Sequence, residues 1–382
     1  RTYAMWQFPH FTPNRAPDWD ALTARFDWLA DMAAVPQDPE WHGEGDVLTH
    51  TKMVVAALLE QADYQALDEE AQHILFAAAL MHDIEKRSTT TRETINGKPR
   101  ITSPRHAKKG EYSARRILYT DIPTPFTVRE SIAKLVRWHG LPLWAIDKTH
   151  PAHRVIATSL QVNTHWLTLL ARADIHGRIC QDADTLLTRI DLFAELCREN
   201  DCYGQPRLFA SALARYHYLN NPDSYPDYMP YDDLKSDVYI LSALPGSGKD
   251  THIRMHYREL PILSLDDIRR AAGIDPTDKK GNGRVIQQAK EQARSYLRAG
   301  QPFIFNATNI SRDIRDKWTG LFADYHARIH LHYLEVPYTQ LLQQNRNREH
   351  PVPEAVISHL LDKLDIPDYS EAHELTYLVT GN

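Results

Sequence analysis

The sequence predicts a multidomain protein, an all-α domain followed by an α/β domain with a parallel sheet. Three observations predict it. Up to about residue 215 the chain carries long apolar stretches at helical spacing and few strand patterns. From Asp237 short apolar strands alternate with helical stretches, as in a parallel α/β sheet. Between them Asn220–Lys235 reads NNPDSYPDYMPYDDLK, with three Pro, three Tyr and four Asp. Prolines at that density break helix and ladder alike. The expected division is therefore 1–219, a linker at 220–236, and 237–382. Tyr225, Tyr228 and Tyr231 are expected to pack and keep the linker ordered.

In chain order, helices are expected at Val47–Ala62, Asp68–His82, Lys108–Tyr119, Val128–Trp138, Val155–Arg178 and Thr185–Glu199. The second opens with an acidic first turn and runs into ILFAAAL, a buried helix with an N-terminal signal. Ile95–Ile101, with Asn-Gly at its centre, reads as a small hairpin. Strands are expected at 238–244, 261–265, 302–308 and 328–336.

Composition narrows the class. Charged residues make up 25% and hydrophobic ones 42%, near the globular average. The longest apolar run, Ile74–Met81, is far short of the ~20 residues of a membrane span, so no membrane partner is expected. The first forty residues lack an apolar h-region, so no signal peptide is expected. The cysteines Cys180, Cys197 and Cys202 form no CxxC pair and read as buried thiols in a reducing cytoplasm. A net charge of −6 gives no basic footprint over the whole protein. It leaves room for a local cationic pocket.

Residues 238–251, VYILSALPGSGKDT, place a strand before a glycine turn and a helix after it. Gly246, Ser247 and Gly248 let backbone N–H groups wrap a phosphate, and the helix N-terminus adds positive potential. Lys249 would pair with the outer phosphates. Ala243 stands where a first Gly is expected, and Asp250 where Ser or Thr holds magnesium. Thr251 is the alternative ligand, one residue on, with Asp250 then capping the helix. The next strand ends in Asp266-Asp267-Ile268-Arg269. At that edge of a parallel sheet residues face the crevice. Asp266 can take a proton from a hydroxyl, or cap a helix; Arg269, three residues on, can hold a phosphate diester.

Over 237–366 the sequence resembles the 5′-hydroxyl polynucleotide kinases of bacteriophage and bacteria. PGSGK (245–249), DDxR (266–269), Thr308-Asn309, and Arg346 and Arg348 in NRNR carry the resemblance. It implies Asp266 as general base, Arg269 on the phosphate beside the 5′-OH, Arg348 and Arg346 as lid arginines on the NTP, and magnesium as cofactor. Asn306-Ala307 stands where that family often has an Asp.

The N-terminal pattern is His50, His82-Asp83, His106, His139 and Asp174. Imidazole with carboxylate suits Mn, Zn, Co, Ni or Fe. The scatter excludes a finger, so a helical bundle must gather these residues. GDVLTH, AALMHDIEK, HAKKG, WHGLP and ARAD resemble the successive blocks of HD-domain phosphohydrolases over about 40–180. That implies His50, His82, Asp83 and Asp174 as core ligands, His106 and His139 completing a second site, and Asp83 bridging one or two transition-metal ions. Two ions about 3.5–4 Å apart clamp both oxygens of a phosphoester displacement. Lys86, four residues after His82, can hold a phosphate oxygen or end a solvated helix. His42 in WHGEGD is a candidate to stand behind a ligand.

Together the motifs resemble bacterial end-healing enzymes that fuse an HD phosphoesterase to a polynucleotide kinase. The resemblance implies RNA or DNA ends as partners. The HD part would remove 2′,3′-cyclic and 2′/3′-phosphates. The kinase part would phosphorylate 5′-OH ends from an NTP (ATP or GTP) with Mg, and a separate ligase would follow. Two alternatives stay open: an HD nucleotide hydrolase joined to a small-molecule kinase, or to a regulatory NTP-binding module.

Overall fold

The computed structural model describes residues 4–381. The chain divides into two compact units, Arg1–Arg207 and Leu208–Asn382.

The first unit is helical apart from one hairpin. Helix Glu69–Met81 is capped by Asp68, whose carboxylate accepts from Ala71 N–H, and every residue from Ala71 to Met81 is buried. Helices Val47–Glu60, Phe126–Trp138 and Thr164–His176 pack around it. The expected helix 155–178 is two, Pro151–Ser159 and Thr164–His176. Asn163 divides them because its side chain accepts from His165 and Trp166 N–H, a cap worth about 1 kcal/mol. Helix His106–Thr120 is locked to Phe126–Trp138 by buried charges: Arg115 meets Glu111 at 2.8 Å and Glu130 at 2.7 Å. Glu130 also takes Arg129 at 2.9 Å. Breaking such a pair strands a buried charge, at about 3–5 kcal/mol. The hairpin is longer than expected, β1 (Thr91–Ile95) and β2 (Lys98–Thr102). Asn96 (φ 52°) and Gly97 (φ 76°) make its turn, the left-handed pair that suits strand twist.

The second unit carries a five-stranded parallel sheet: β3 (Ser236–Ser242), β4 (Ile262–Ser264), β5 (Phe303–Asn306), β6 (Ala327–Glu335) and β7 (Glu374–Val379). The order is β4-β5-β3-β6-β7. β7 was not anticipated. It is an edge strand paired only with β6, and its residues are half or fully exposed, so it lacks the apolar run of the central strands. Phe303, Phe305, Trp318, Phe322 and Ile329 fill the core on one face.

Contacts divide the two units before helix Ala212–Asn220 and place 220–236 with the second. Its polar groups hold it there: Asp232 pairs with Arg328 at 2.6 Å, and the Asn220 amide donates to Ser370 O at 2.9 Å. Tyr225 and Tyr231 do not pack; they are 81% and 87% exposed. Of the cysteines, Cys197 and Cys202 are buried while Cys180 is only half-buried.

Candidate metal centre and nucleotide crevice

Five helices deliver the six predicted ligands. His50 lies in the first turn of Val47–Glu60, where Asp46 caps by accepting from Thr49 N–H. His82 closes helix Glu69–Met81, with Asp83 next. His106 opens helix His106–Thr120, His139 closes Phe126–Trp138, and Asp174 projects from Thr164–His176. All are buried except His106, which is partly exposed.

The carboxylate of Asp83 divides these ligands into two sets. Its Oδ2 lies 3.1 Å from His82 Nε2 and 3.5 Å from His50 Nε2. Its Oδ1 lies 3.1 Å from His106 Nε2 and 3.6 Å from His139 Nε2. Asp174 Oδ1 joins the first set, 2.9 Å from His50 Nε2. In His50, His82 and Asp174, and again in Asp83, His106 and His139, the ligand atoms all lie within 4.8 Å of one another.

Each imidazole is oriented from behind. Nδ1 donates to Ala79 O from His82 (2.7 Å), to Ser103 O from His106 (3.0 Å) and to Val136 O from His139 (2.7 Å). His50 Nδ1 faces Gly177 O and Glu44 Oε1, both at 2.9 Å. Nδ1–H is thereby fixed and Nε2 is left as the donor pair, the usual support of histidine ligands. The donor set and its convergence fit one or two divalent transition metals.

The charge balance points the same way. Burial alone would lower His82, but Asp83 and Asp174 push it up to about 10. Burial and the neighbouring His82 charge push His139 down to about 3. Burial opposes ionisation of Asp83, yet His82, Lys86 and His106 hold it well below the usual carboxylate range. Asp174 is held low likewise by Arg178, His50 and His82, with Arg178 at 2.7 Å. Both carboxylates of the centre are thus held ionised by the cations around them.

Lys86 faces this centre rather than solvent: Nζ is 3.2 Å from Asp83 Oδ2 and 3.0 Å from Gln37 Oε1. His42 stands behind His50 through Glu44, whose Oε1 it meets at 2.8 Å. Glu44, Gln37 and Arg178 were missed in the sequence. Glu44 had a signal, lying between His42 and the GDVLTH block.

In the second unit the phosphate loop follows β3. Gly246 and Gly248 have φ of 88° and 91°. A Cβ on Gly246 would meet Leu341 O at 2.7 Å, so helix Tyr338–Arg346 packs directly on the loop. Ser247 is buried and its hydroxyl has no partner among the described residues. Lys249 opens helix Lys249–His256 and is half-buried. Burial pushes its ammonium down to about 8 against the pull of Asp266 and Asp250, with Arg348 adding repulsion, so these charges lie within electrostatic reach of Lys249. Ala243, where Gly was expected, is buried in the core, and its N–H donates to Thr308 O at 2.9 Å.

Ser264, not Asp266, caps helix Leu265–Ala271. Asp266 is free of that duty and meets Arg269 at 2.5 Å, while Arg269 Nε donates to Asn282 at 2.7 Å. Asp250 does not cap either: Gly248 is the N-cap residue and no side chain caps it. Its Oδ1 accepts from the Asn306 amide at 3.2 Å, which gives the departure at 306 a partner. Thr251 is exposed and accepts from Arg254 at 3.3 Å. Arg346 is not gathered in; it pairs with Glu354 at 2.7 Å and is 64% exposed in its side chain. Asn309 is buried and structural, its amide donating to Leu241 O at 2.8 Å.

Residues 47–189 match the HD domain family and residues 238–367 an AAA domain family. The chain thus joins a helical HD domain to a P-loop kinase-like domain. No curated protein matches the sequence. Similar solved structures include a sugar kinase from Janibacter sp., 19% identical, covering 38% of this chain and 85% of that one, with a TM-score of 0.31. A gluconokinase from Sinorhizobium meliloti is 15% identical, covering 39% and 85%, with a TM-score of 0.30. A chain of the Pnkp1/Rnl/Hen1 complex is 21% identical, covering 33% and 43%, with a TM-score of 0.29; less than half of that chain is spanned. No helix among the described residues is long and apolar enough to cross a membrane.

Proposed function

We propose that this chain heals broken nucleic-acid ends, removing 2′,3′-cyclic or 2′/3′-phosphates in its HD unit and phosphorylating 5′-OH ends in its kinase-like unit. The observation that carries the reading is the Asp266–Arg269 contact just after β4, with Asp266 free of the helix cap and within electrostatic reach of Lys249. A carboxylate and a guanidinium held together there suit an acceptor with both a hydroxyl and a neighbouring phosphate diester. A nucleoside has only the hydroxyl.

In the kinase step Asp266 takes the proton of the 5′-OH as its oxygen attacks the γ-phosphorus, and the bond to the β–γ bridging oxygen breaks. An incoming diester competes with Asp266 for the Arg269 guanidinium. Binding thus frees the base at the moment it is needed. Lys249 and Arg348 offset the charge on the transferred group. Asp250, tethered by Asn306, would be the residue that holds the magnesium accompanying the NTP, directly or through a water. An anion about 4 Å from another costs roughly 4 kcal/mol at an effective dielectric near 20, so Asp250 is tolerated there with a cation between.

In the HD unit His50, His82, Asp174 and Asp83 would hold one metal ion, and Asp83, His106 and His139 a second. Such ions activate water and polarise the phosphoester. Lys86 offers its ammonium to a phosphate oxygen, and Arg178 keeps Asp174 ionised and oriented.

The test is an RNA bearing a 2′,3′-cyclic phosphate and a 5′-OH, incubated with and without NTP, each end scored separately. Repair of the 3′ end without NTP and of the 5′ end only with it is expected. Phosphate transfer to nucleosides but not to the oligonucleotide would establish the small-molecule kinase instead. NTP binding without any transfer would establish the regulatory module.

A further inference from the structure

The hairpin β1–β2 buries no residue fully, and all of β1 is exposed. An isolated two-stranded hairpin is marginal in water, so it needs an anchor. Asp38 supplies one at the root, accepting from Ile101 N–H and from Arg100, both at 3.3 Å. The rest stands away from the core. The chain between Asp83 and His106, two residues of the metal centre, is spent largely on this arm.

Its charge is one-sided. The arm carries Arg92, Lys98 and Arg100 against one acid, Glu93, and Arg105, Lys108 and Lys109 follow it at the start of the next helix, in a chain whose net charge is −6. Ion pairs engage Arg100 and Lys109. Among the described residues none engages Arg92, Lys98, Arg105 or Lys108, all exposed. At the root the Arg100 guanidinium lies 5.9 Å from the ring centroid of Trp41, which is 43% exposed. Trp41 adjoins His42, and through Glu44 that loop reaches His50. By the hairpin register Lys98 shares a face with Arg100 and Arg92 lies on the opposite one, so the arm offers cations on both faces, with the exposed Trp41 and the loop that leads to His50 at its root.

We infer that the β1–β2 arm with Trp41 binds the strand leading to the 3′ end that the HD unit processes. Its ligand is a single-stranded polynucleotide, with cations along the phosphates and a base against Trp41. A free mononucleotide has no phosphates upstream for the arm to hold. The inference rests on the proposed hydrolysis of phosphate-terminated strands and deepens it by assigning the surface that recognises them.

The test compares the full chain with the Arg92→Ala/Lys98→Ala/Lys108→Ala variant. Anisotropy of a dye-labelled single-stranded RNA with a 3′-phosphate reads binding over a range of salt. Hydrolysis of a 2′,3′-cyclic mononucleotide reads the centre itself. Affinity for the RNA is expected to fall about tenfold near 100 mM salt, with the salt slope reduced by about 2, for three charges at ~0.7 each. Turnover of the cyclic mononucleotide should not change. Arg92→Lys/Lys98→Arg/Lys108→Arg should bind as the unaltered chain does. Unchanged RNA affinity and slope would overturn the inference. So would parallel loss of mononucleotide turnover, which would make the arm a support for His106. If the unaltered chain binds RNA with the arm-dependent slope yet hydrolyses neither ester, the hydrolase reading fails and the arm stands.

Discussion

The metal centre and the nucleotide crevice solve opposite problems. In the first, buried side chains converge with their backs already satisfied: each histidine Nδ1 has a carbonyl or carboxylate partner. In the second, the groups proposed to act on the acceptor and the NTP are open to water. Asp266 is 53% exposed in its side chain and Asp250 is exposed, while Arg346 is engaged elsewhere. A metal site must exist before substrate arrives, because four ligands cannot be gathered cheaply by one small ion. A phosphate crevice can be completed by the NTP, whose charge recruits mobile cations. The difference teaches that loss of one residue should be near-total in the centre and graded in the crevice.

The largest effect is expected from Asp83→Ala, which removes the one carboxylate shared by both imidazole pairs. Hydrolysis at the 3′ end should fall to background while 5′ phosphorylation persists, and Lys249→Ala should do the reverse. Loss of both activities in either folded variant would erase the comparison. Next, Asp266→Ala should cost about 10²–10⁴ in phosphorylation rate, the usual worth of a positioned base, with NTP affinity kept. Weakened NTP affinity at unchanged turnover, by calorimetry and kinetics, would make Asp266 structural.

Glu44→Gln should weaken metal affinity about 10–100-fold, as loss of a partner behind a ligand does. Metal titration monitored by thermal shift checks this. Smaller still is the pH effect on Lys249. Burial lowers its folded pKa to about 8, so the charge is present below that pH and lost above it. kcat/KM for NTP should decline by about tenfold per pH unit on the alkaline side, where neutral Lys249 no longer attracts phosphate. Lys249→Arg, if active, should remove that limb. The smallest effect is expected from Arg346→Ala, below about twofold in KM for NTP, because its guanidinium is exposed and already pairs with Glu354. Arg348→Ala should exceed it.

Much of the site was legible because its motifs are local. A strand, a glycine turn and a helix in succession dictate the phosphate loop wherever the rest of the chain goes. His82-Asp83 at the end of the apolar run Ile74–Met81 could not be idle, since burying them unpartnered is costly. The helix break at Asn163 was less visible because apolar spacing continues across it, and only the cap marks the stop.

The residue types, the two motif sets and the alternation behind the parallel sheet came from the sequence alone, since each depends on neighbours a few positions apart. The resemblance to HD proteins named Asp83 as a bridge, but the packing of helices placed its two oxygens on different histidine pairs. The folded chain brought Glu44 behind His50, joined Asn306 to Asp250, gave the cap to Ser264 and so freed Asp266, and turned Arg346 away toward Glu354. Such contacts depend on how loops and helix ends fold back, over separations as short as Ser264 to Asp267 and as long as Asp250 to Asn306. Hydrophobic spacing sets which face of a helix is buried; it does not say which polar atom on that face finds which partner.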